Sequence, residues 1–374
     1  MASKAFLKDY RILDLSQYIP GPFATRQLAD LGADVIKVEP PFGDPMRHFM
    51  SDSTNESGYS SIYQHLNRGK RIVKIDLKQH SGKETLRKLI KNADVLLESF
   101  RPGVMAKLGF DRETLNTLNS KLIHCALSGF GQNGPYEQKA GHDLTYCAVS
   151  GALSNSGTDE RPVMSFPPVA DHAGAMQACN TILAALLSRT HTNQGAYLDI
   201  SLYESALAWQ YLNFHENVQE KKPEREAQLL NGGAACYNIY QTSDERFIAL
   251  APLEVKFWVA FCEAVSKPEW FSRQSDTLPQ ASLIQEVSDL FTAKPLAHWN
   301  ALFKDVDCCY EPILLADEVA KHPQVIARDA LNGVSPRFPA WVDSSPVINE
   351  EIITEISSIT DEQTTINWLE KDGI

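Results

Sequence analysis

The sequence predicts an α/β fold, in which a large domain with a mostly parallel sheet is followed by a smaller α+β domain. Three observations support this prediction. Short β-branched segments alternate with helical patterns through the first half, as in parallel strands joined by helices. One strand–helix–strand unit spans about thirty residues, the size of a crossover connection. A polar, aperiodic segment at 216–226 then interrupts the pattern and indicates a linker.

The first half alternates strands with helices. The predicted strands lie at 11–15, 33–39, 71–77, 93–98, 122–127 and 197–202. The predicted helices lie at 23–31, 82–91, 172–189 and 203–209, with a short one from Pro102. Strands that are buried on both faces of a parallel sheet are nearly continuous runs of Val, Ile and Leu, as these are. The large domain is therefore predicted to be Rossmann-like, with ligands at the carboxyl ends of its strands.

The domain boundaries follow from the same pattern. We assign the large domain to 1–215, the linker to 216–235 and the small α+β domain to 236–324. Strands at 236–242 and 246–251 are predicted to form a hairpin in the small domain. The remaining segment, 325–374, is predicted to return to the large domain.

Composition and charge exclude several classes of function. The 35 Lys and Arg residues against 47 Asp and Glu residues give a net charge of −12, which argues against a nucleic-acid partner. The longest apolar run, 182–187, is far shorter than the roughly 20 residues that span a bilayer. No signal peptide is recognisable, and we expect a cytoplasmic protein without a membrane partner. The seven cysteines show no metal-ligand spacing, and no metal site is expected.

Gly141-His142-Asp143 is the first candidate cluster. It follows a flexible loop and precedes a helical stretch, in a region where loops at strand ends collect ligands. Histidine is the commonest general base near neutral pH. The alternative is that His142 caps or packs against the helical stretch, and the segment alone leaves both roles open.

Asp171 is the second candidate, predicted at the N-cap of the long helix that starts near His172. The ordinary role of such a residue is to accept a hydrogen bond from a first-turn N–H group, worth about 1 kcal/mol. The alternative is a base or nucleophile. Free N–H groups at that helix start would then stabilise a developing oxyanion.

A third set consists of positively charged residues at strand ends. Its members are Lys37, Arg68, Lys70, Arg71, Lys78 and Arg101. One interpretation is a solvated turn on an acidic protein. The other is a clamp for a phosphorylated ligand, because Arg offers a planar fork of donors and Lys a point charge.

Taken together, these pieces resemble a known family. The matching segments occur in order at 15–22, 31–39, 67–71, 76–78, 98–103, 108–109, 128–135, 141–143, 195–205 and 231–233, with Asp171 and Tyr237. The sequence resembles the class III CoA-transferase superfamily, and within it most closely the α-methylacyl-CoA racemases. The resemblance implies a large domain that binds CoA and an interlocked homodimer, with the active site between the large domain of one subunit and the small domain of its partner.

The resemblance also implies catalytic roles. In the racemase branch His142 and Asp171 are the two bases that take and return the α-proton of an acyl-CoA, and Glu254 holds the histidine. Asp143 and Tyr146 fix the site around the thioester. We expect the backbone N–H of Asp171 or of a helix neighbour to stabilise the enolate oxygen. No cofactor is expected, because CoA is part of the substrate.

Residues that contact CoA are implied in the same way. The candidates for its phosphates and adenine end are Lys37, Arg71, Lys78 and Arg101. Gln17 and the loop at 19–22 are implied to line the pantetheine or thioester region.

Two other functions remain open from the sequence. In the transferase branch the aspartate at the position of Asp171 is a nucleophile that carries acyl and CoA adducts. Transferases typically lack the histidine and carry a multi-glycine loop, and the sequence has no such run. A third interpretation is a protein that binds acyl-CoA but whose catalytic residues are inactive. The sequence does not identify the acyl group.

Overall fold

The computed structural model describes residues 5–50, 58–217, 225–349, 352–356 and 368. The chain divides into two compact units. The first comprises 1–150, 166–209 and 323–374, and the second comprises 151–165 and 210–322. The sequence analysis assigned the loop at 151–165 to the large domain, and the structure instead places it in the second unit.

Hydrogen bonds explain why this loop belongs to the second unit. The Arg225 guanidinium donates to three carbonyl oxygens of the loop. The Asn231 side chain donates to the Asn155 carbonyl oxygen. Both donors come from the stretch that the sequence analysis assigned to the linker 216–235. Residues 218–224 of that linker lie outside the described residues.

The described residues form the following elements. The strands are β1 (Arg11–Leu15), β2 (Asp34–Glu39), β3 (Lys70–Lys74), β4 (Val95–Glu98), β5 (Ile123–Ser128), β6 (Ala196–Ser201), β7 (Asn238–Gln241), β8 (Phe247–Leu250), β9 (Tyr310–Pro312), β10 (Leu331–Asn332), β11 (Ser335–Pro336), β12 (Trp341–Val342), β13 (Ser345–Pro346) and β14 (Thr354–Ile356). The helices are α1 (Pro20–Asp30), α2 (Ser61–Asn67), α3 (His80–Lys91), α4 (Val104–Leu108), α5 (Arg112–Leu118), α6 (Asp143–Val149), α7 (Val169–Thr192), α8 (Leu202–Ala208), α9 (Tyr211–Asn217), α10 (Val255–Ala264), α11 (Ala281–Thr292), α12 (Leu296–Phe303), α13 (Ala316–Val319) and α14 (Pro323–Ala327). Two 3₁₀ helices lie at Pro45–His48 and Pro268–Ser275.

The first unit is built on a seven-stranded sheet in the order β14-β3-β2-β1-β4-β5-β6. Every neighbouring pair in this sheet is parallel, which confirms the predicted parallel α/β architecture. The chain proceeds from β1 outward to β3, returns to the centre, and proceeds outward from β4 to β6. The strand order therefore reverses between β1 and β4, the position where open α/β sheets bind ligands at their carboxyl edge.

The C-terminal segment completes this unit. Strand β14 pairs with β3 as the outer strand of the sheet. Trp368 is fully buried in the hydrophobic core, and its indole N–H donates to Asp34 Oδ2 at 2.6 Å. The Arg11 guanidinium donates to the Trp368 carbonyl oxygen. Residues near the end of the chain thus pack against the beginning of β1 and β2.

Helix α7 begins three residues earlier than the sequence analysis predicted. Its N-cap is Pro168, and its first helical residue is Val169. Asp171 consequently lies inside the first turn, and the prediction that it is the N-cap is wrong.

In the described part of the chain, no helix is long and apolar enough to cross a membrane.

The second unit contains a small antiparallel sheet in the order β7-β8-β9. Its core is rich in aromatic residues, with Trp258, Phe261, Phe291 and Trp299 all buried. The predicted hairpin is confirmed as the pair β7–β8. Helices α10, α11 and α12 contribute the buried rings, giving this unit an α+β architecture of its own.

Candidate active site

A cavity of about 360 Å³ opens at the carboxyl edge of the large sheet. Its walls come from the loops after β1, β4 and β5 and from the first turns of α6 and α7. The lining residues include Gln17, Tyr18, Ser99, Arg101, Phe130, Lys139, His142, Tyr146 and Asp171. All of them belong to the first unit. The structure therefore brings His142 and Asp171, which are distant in the sequence, to one cavity.

The position of His142 depends on the glycine before it. A β-carbon at Gly141 would lie 2.5 Å from the ring of Tyr146, and one at Gly129 would lie 2.5 Å from its hydroxyl. Both glycines therefore make room for this ring, which is buried and forms part of the cavity wall. His142 precedes α6, and its backbone N–H donates to Thr145 Oγ1 at 3.0 Å. The imidazole itself is exposed.

Asp171 is linked to the start of α6 through Asp143. The Asp171 backbone N–H donates to Asp143 Oδ1 at 3.1 Å. Burial, and then the nearby negative charge of Asp143, raise the pKa of Asp171 to about 7. Among the described residues no hydrogen bond or ion pair to the Asp171 carboxylate is present. This carboxyl group can therefore accept or release a proton near neutral pH.

Two of the expected oxyanion donors at the start of α7 are occupied. The Asp171 N–H is bonded to Asp143, and the His172 N–H donates to the Pro168 carbonyl oxygen at 3.4 Å. These two N–H groups are therefore not free to stabilise an enolate, and the prediction for the other N–H groups of the first turn stays a prediction. The physical reason is that Asp143 takes the capping role that the sequence analysis offered to Asp171.

The loop after β1 is held by a buried ion pair. Lys37 is fully buried, and its ammonium donates to the Ser16 carbonyl oxygen at 2.7 Å and lies 3.0 Å from Asp44. Asp44 in turn accepts from the Tyr18 N–H at 3.4 Å. Tyr18 has a φ of 64°, an unfavourable region for a non-glycine residue, and its ring meets the ring of His142 edge-on at 6.0 Å. The pair thus supports a loop that carries Gln17 and Tyr18 into the cavity.

Two of the predicted CoA-contacting cations are placed elsewhere. Lys37 is not accessible to a ligand, because it is fully buried. Its charge is compensated there by the buried carboxylate of Asp44. Arg71 lies at the amino end of β3, opposite to the cavity edge, where it is bonded to both carboxylate oxygens of Asp34 at 2.6 Å. The predicted contact of these two residues with CoA is therefore corrected. Strand position and charge in the sequence did not distinguish the two edges of the sheet.

Other cations of that set also have structural partners. Lys70 is fully buried and lies 3.1 Å from Asp14, and its burial lowers its pKa to about 8. Burial would raise the pKa of Asp14, but Lys70 and Lys37 hold it below its usual range. Arg68 pairs with buried Asp30. The turn at 67–71 is therefore part of the core rather than a phosphate clamp.

Arg101 and Lys78 remain at the carboxyl edge. Arg101 is exposed, lines the cavity and is close enough to lower the pKa of Tyr146. That pKa is nevertheless raised to about 12, by burial first and then by Asp171 and Asp143. Lys78 is exposed in the loop after β3.

Glu254 lies in the second unit, directly before α10, and is exposed. Its predicted role beside the imidazole of His142 stays a prediction. Tyr18 and Lys139 are cavity residues that the sequence analysis did not identify. Tyr18 directly follows Gln17, which was predicted to line the site. Nothing in the sequence indicates that the backbone of Tyr18 adopts a positive φ. Lys139 lies in the loop before Gly141 and is a second cation on the cavity wall.

The chain is similar in sequence and in structure to proteins of one known family. The CoA-transferase family III matches residues 7–341. Human alpha-methylacyl-CoA racemase is 34% identical over 91% of this chain and 88% of its own length. Acetyl-CoA:oxalate CoA-transferase of Acetobacter aceti is 31% identical over 86% of this chain and 84% of its own length. A CaiB/BaiF family protein from Brucella suis superposes with a TM-score of 0.82 at 25% identity, covering 94% of this chain and 96% of the other.

The match extends across most of the chain. The chain is therefore a member of the CoA-transferase family III.

Proposed function

We propose that the protein is an acyl-CoA racemase that inverts the α-carbon of 2-methylacyl-CoA thioesters. The observation that carries the proposal is that His142 and Asp171 line one cavity. Inversion at carbon needs two acid–base groups at the same reacting centre, one to remove the proton and one to return it. A racemase name among the relatives supports the same choice.

The chemistry is a proton transfer through an enolate. One group removes the α-proton, and the electron pair of the C–H bond moves to the thioester oxygen. The other group then donates a proton to the opposite face of the carbon, and the carbonyl reforms. His142 and Asp171 exchange these two roles according to which epimer is bound. Each such acid–base contact contributes about 10²–10⁴-fold to the rate.

The pKa of Asp171 favours this chemistry over nucleophilic attack. A carboxyl group whose pKa is about 7 can both take up and release a proton near neutral pH. This suits a residue that acts as acid for one epimer and as base for the other. A carboxylate nucleophile is more useful when it is fully ionised.

Substrate binding is assigned to the remaining polar groups of the cavity. Arg101 and Lys139 are cations on the wall and contact the phosphates of CoA in this proposal. The Gln17 amide and the Tyr146 hydroxyl also line the cavity. In this proposal they donate hydrogen bonds to the enolate oxygen in place of the occupied N–H groups of α7. Lys78, outside the cavity lining, keeps its predicted contact with the adenine end.

Deuterium exchange tests the proposal directly. In D₂O, with a 2-methylacyl-CoA and no second acid, we expect deuterium in the inverted product while the recovered substrate stays protiated at early times. Mass spectrometry combined with chiral analysis measures both. No exchange across a panel of 2-methylacyl-CoAs removes the racemase proposal. Inverted product that retains the original proton contradicts the two-base mechanism, because only a single base would return the proton that it removed.

Asp143→Asn tests the electrostatic control of Asp171. The amide retains an oxygen acceptor for the Asp171 N–H but loses the negative charge that raises the pKa of Asp171. We expect the acidic limb of the kcat/KM profile for exchange to move to lower pH by about one pH unit. Asp143→Ala is the comparison, because it removes both the charge and the acceptor. An unchanged acidic limb in Asp143→Asn contradicts this coupling.

CoA transfer is the second candidate function, because a CoA-transferase is among the relatives that match over most of the chain. It requires a free acid as acceptor and a covalent adduct on Asp171. Hydroxylamine trapping of that adduct during turnover, absent from the racemase reaction, distinguishes the two functions.

The interlocked homodimer and the role of Glu254 are part of the same proposal. Apolar side chains on the first unit support a partner, since Met176 and Leu187 of α7 are 48% and 66% exposed. In this arrangement a partner supplies the second-unit residues of each site.

A further inference from the structure

A second cavity lies at the opposite, amino-terminal edge of the large sheet. Its volume is about 380 Å³. It is bounded by α5 and by the first residues of β5 and β6. The residues that matter here are Arg112, Glu113, Leu115, Leu122, His124 and Tyr197. None of them lines the cavity that contains His142.

His124 is the unusual residue of this cavity. Its side chain is only 9% exposed, yet neither ring nitrogen has a hydrogen-bond partner among the described residues. The nearest acid is Glu98, whose Oε1 lies 3.7 Å from Nε2, too far for a hydrogen bond. A buried polar group without a partner costs about 1–3 kcal/mol. Both nitrogens are shielded from solvent, so a ligand reaches this unsatisfied ring only from the cavity that the residue lines and only after the side chain turns.

Arg112 supplies the charge. Its guanidinium lies over the ring of Tyr197, with 4.0 Å between the guanidinium carbon and the ring centroid. A guanidinium over an aromatic face is attracted by the ring, and this contact holds Arg112 at the wall of the cavity. Within the described residues, Arg112 has no acidic partner. Tyr197 also meets the ring of His124 edge-on at 5.1 Å, which places the cation and the imidazole on one aromatic support.

We propose that this cavity binds a monocarboxylic acid with a short apolar body. The planar fork of Arg112 matches the two oxygens of a carboxylate, and the unsatisfied imidazole of His124 supplies a second polar contact when its ring turns toward the ligand. Leu115 and Leu122 line the cavity and supply apolar contacts for the body of the acid. Glu113 lines the same cavity and Glu98 lies behind His124, and their negative charges disfavour a dianion about twice as strongly as a monoanion.

The proposal goes beyond the proposed racemase function and does not depend on it. Calorimetric titration of the full chain with butanoate tests it, with butanamide as the neutral isostere and succinate as the dianion. We expect butanoate to bind at least tenfold more tightly than either. Arg112→Gln and His124→Phe are each expected to raise the Kd for butanoate at least tenfold.

Two control variants locate the binding. Arg87→Gln alters another arginine that lies over an aromatic ring, that of Phe110, outside both cavities. Arg101→Gln alters the first cavity. Both are expected to leave the Kd for butanoate unchanged. A Kd that is unchanged in Arg112→Gln, equal for butanamide, or raised only by Arg101→Gln overturns the proposal, as does the absence of saturable binding to the unaltered chain.

His124→Phe also has a readout that is independent of the ligand. Because neither ring nitrogen has a hydrogen-bond partner among the described residues, replacement by an apolar ring is expected to leave the melting temperature equal or higher. A strongly lowered melting temperature indicates that the imidazole has a structural role. Arg112→Gln, at an exposed position, then decides the proposal alone.

Discussion

His142→Ala is expected to lower the rate of α-proton exchange by about 10²–10⁴-fold, because the reaction loses one of its two acid–base groups. The effect should fall on kcat, since the imidazole is assigned to proton transfer rather than to binding of CoA. The measurement is the initial rate of deuterium uptake into the inverted product. CoA affinity, measured separately, is expected to stay within a few-fold of the unaltered protein.

His191→Ala is the matched control for this variant. His191 is exposed in the last turn of α7, in the same unit but outside the cavity lining. It is expected to leave exchange unchanged. If His142→Ala retains full exchange, His142 is not one of the two bases. If it loses exchange but catalyses CoA transfer to a free acid, the transferase function replaces the proposed one.

Asp171→Asn is expected to abolish exchange to a similar extent and, at the same time, to stabilise the fold. An amide cannot take or return the α-proton. It does resemble the protonated carboxyl group, which is the form that the buried site favours. Activity and stability are therefore expected to change in opposite directions, as is common for active-site residues.

The sign of the stability effect follows from the raised pKa. The pKa of Asp171 is about 7 in the folded chain, against an ordinary value of 3.8. Between these two pH values the folded state binds more protons than the unfolded state, and its free energy of unfolding falls as the pH rises. The gain from Asp171→Asn is therefore small near pH 4, grows up to pH 7 and is constant above it. We expect about 2 kcal/mol at pH 8, discounting the shift for the solvent that reaches the cavity.

Urea unfolding at pH 5 and at pH 8 measures this difference. Asp317→Asn, at a site whose side chain is 73% exposed, is the control and should change stability little at either pH. A stability gain that is equal at both pH values contradicts the raised pKa of Asp171. A loss of stability at pH 8 contradicts it as well.

The parallel sheet could be predicted because its strands are buried on both faces. Such strands appear in the sequence as short runs of Val, Ile and Leu, and the helices between them fix the spacing. The start of α7 could not be predicted in the same way. Asp171 has the residue type of an N-cap, but Pro168 occupies that place and Asp143 accepts the N–H group. This contact joins residues 28 positions apart.

Charged residues were the least predictable part of the site. Lys37 and Arg101 both follow the pattern of a cation near a strand end, yet one is fully buried and the other is exposed on the cavity wall. The difference depends on Asp44, which comes from a separate loop and compensates the buried ammonium. The site proposed at His124 could not be predicted from the sequence either. Its imidazole lacks hydrogen-bond partners among the described residues because of the way the sheet packs.

The contact between Arg11 and Trp368 joins positions 357 residues apart. During translation the first three strands leave the ribosome long before the indole that fills the space beside them. The first unit therefore reaches its final packing only after residue 368 has left the ribosome. A stalled or truncated chain would present the outer edge of β3 without β14, an open template for association with other nascent chains.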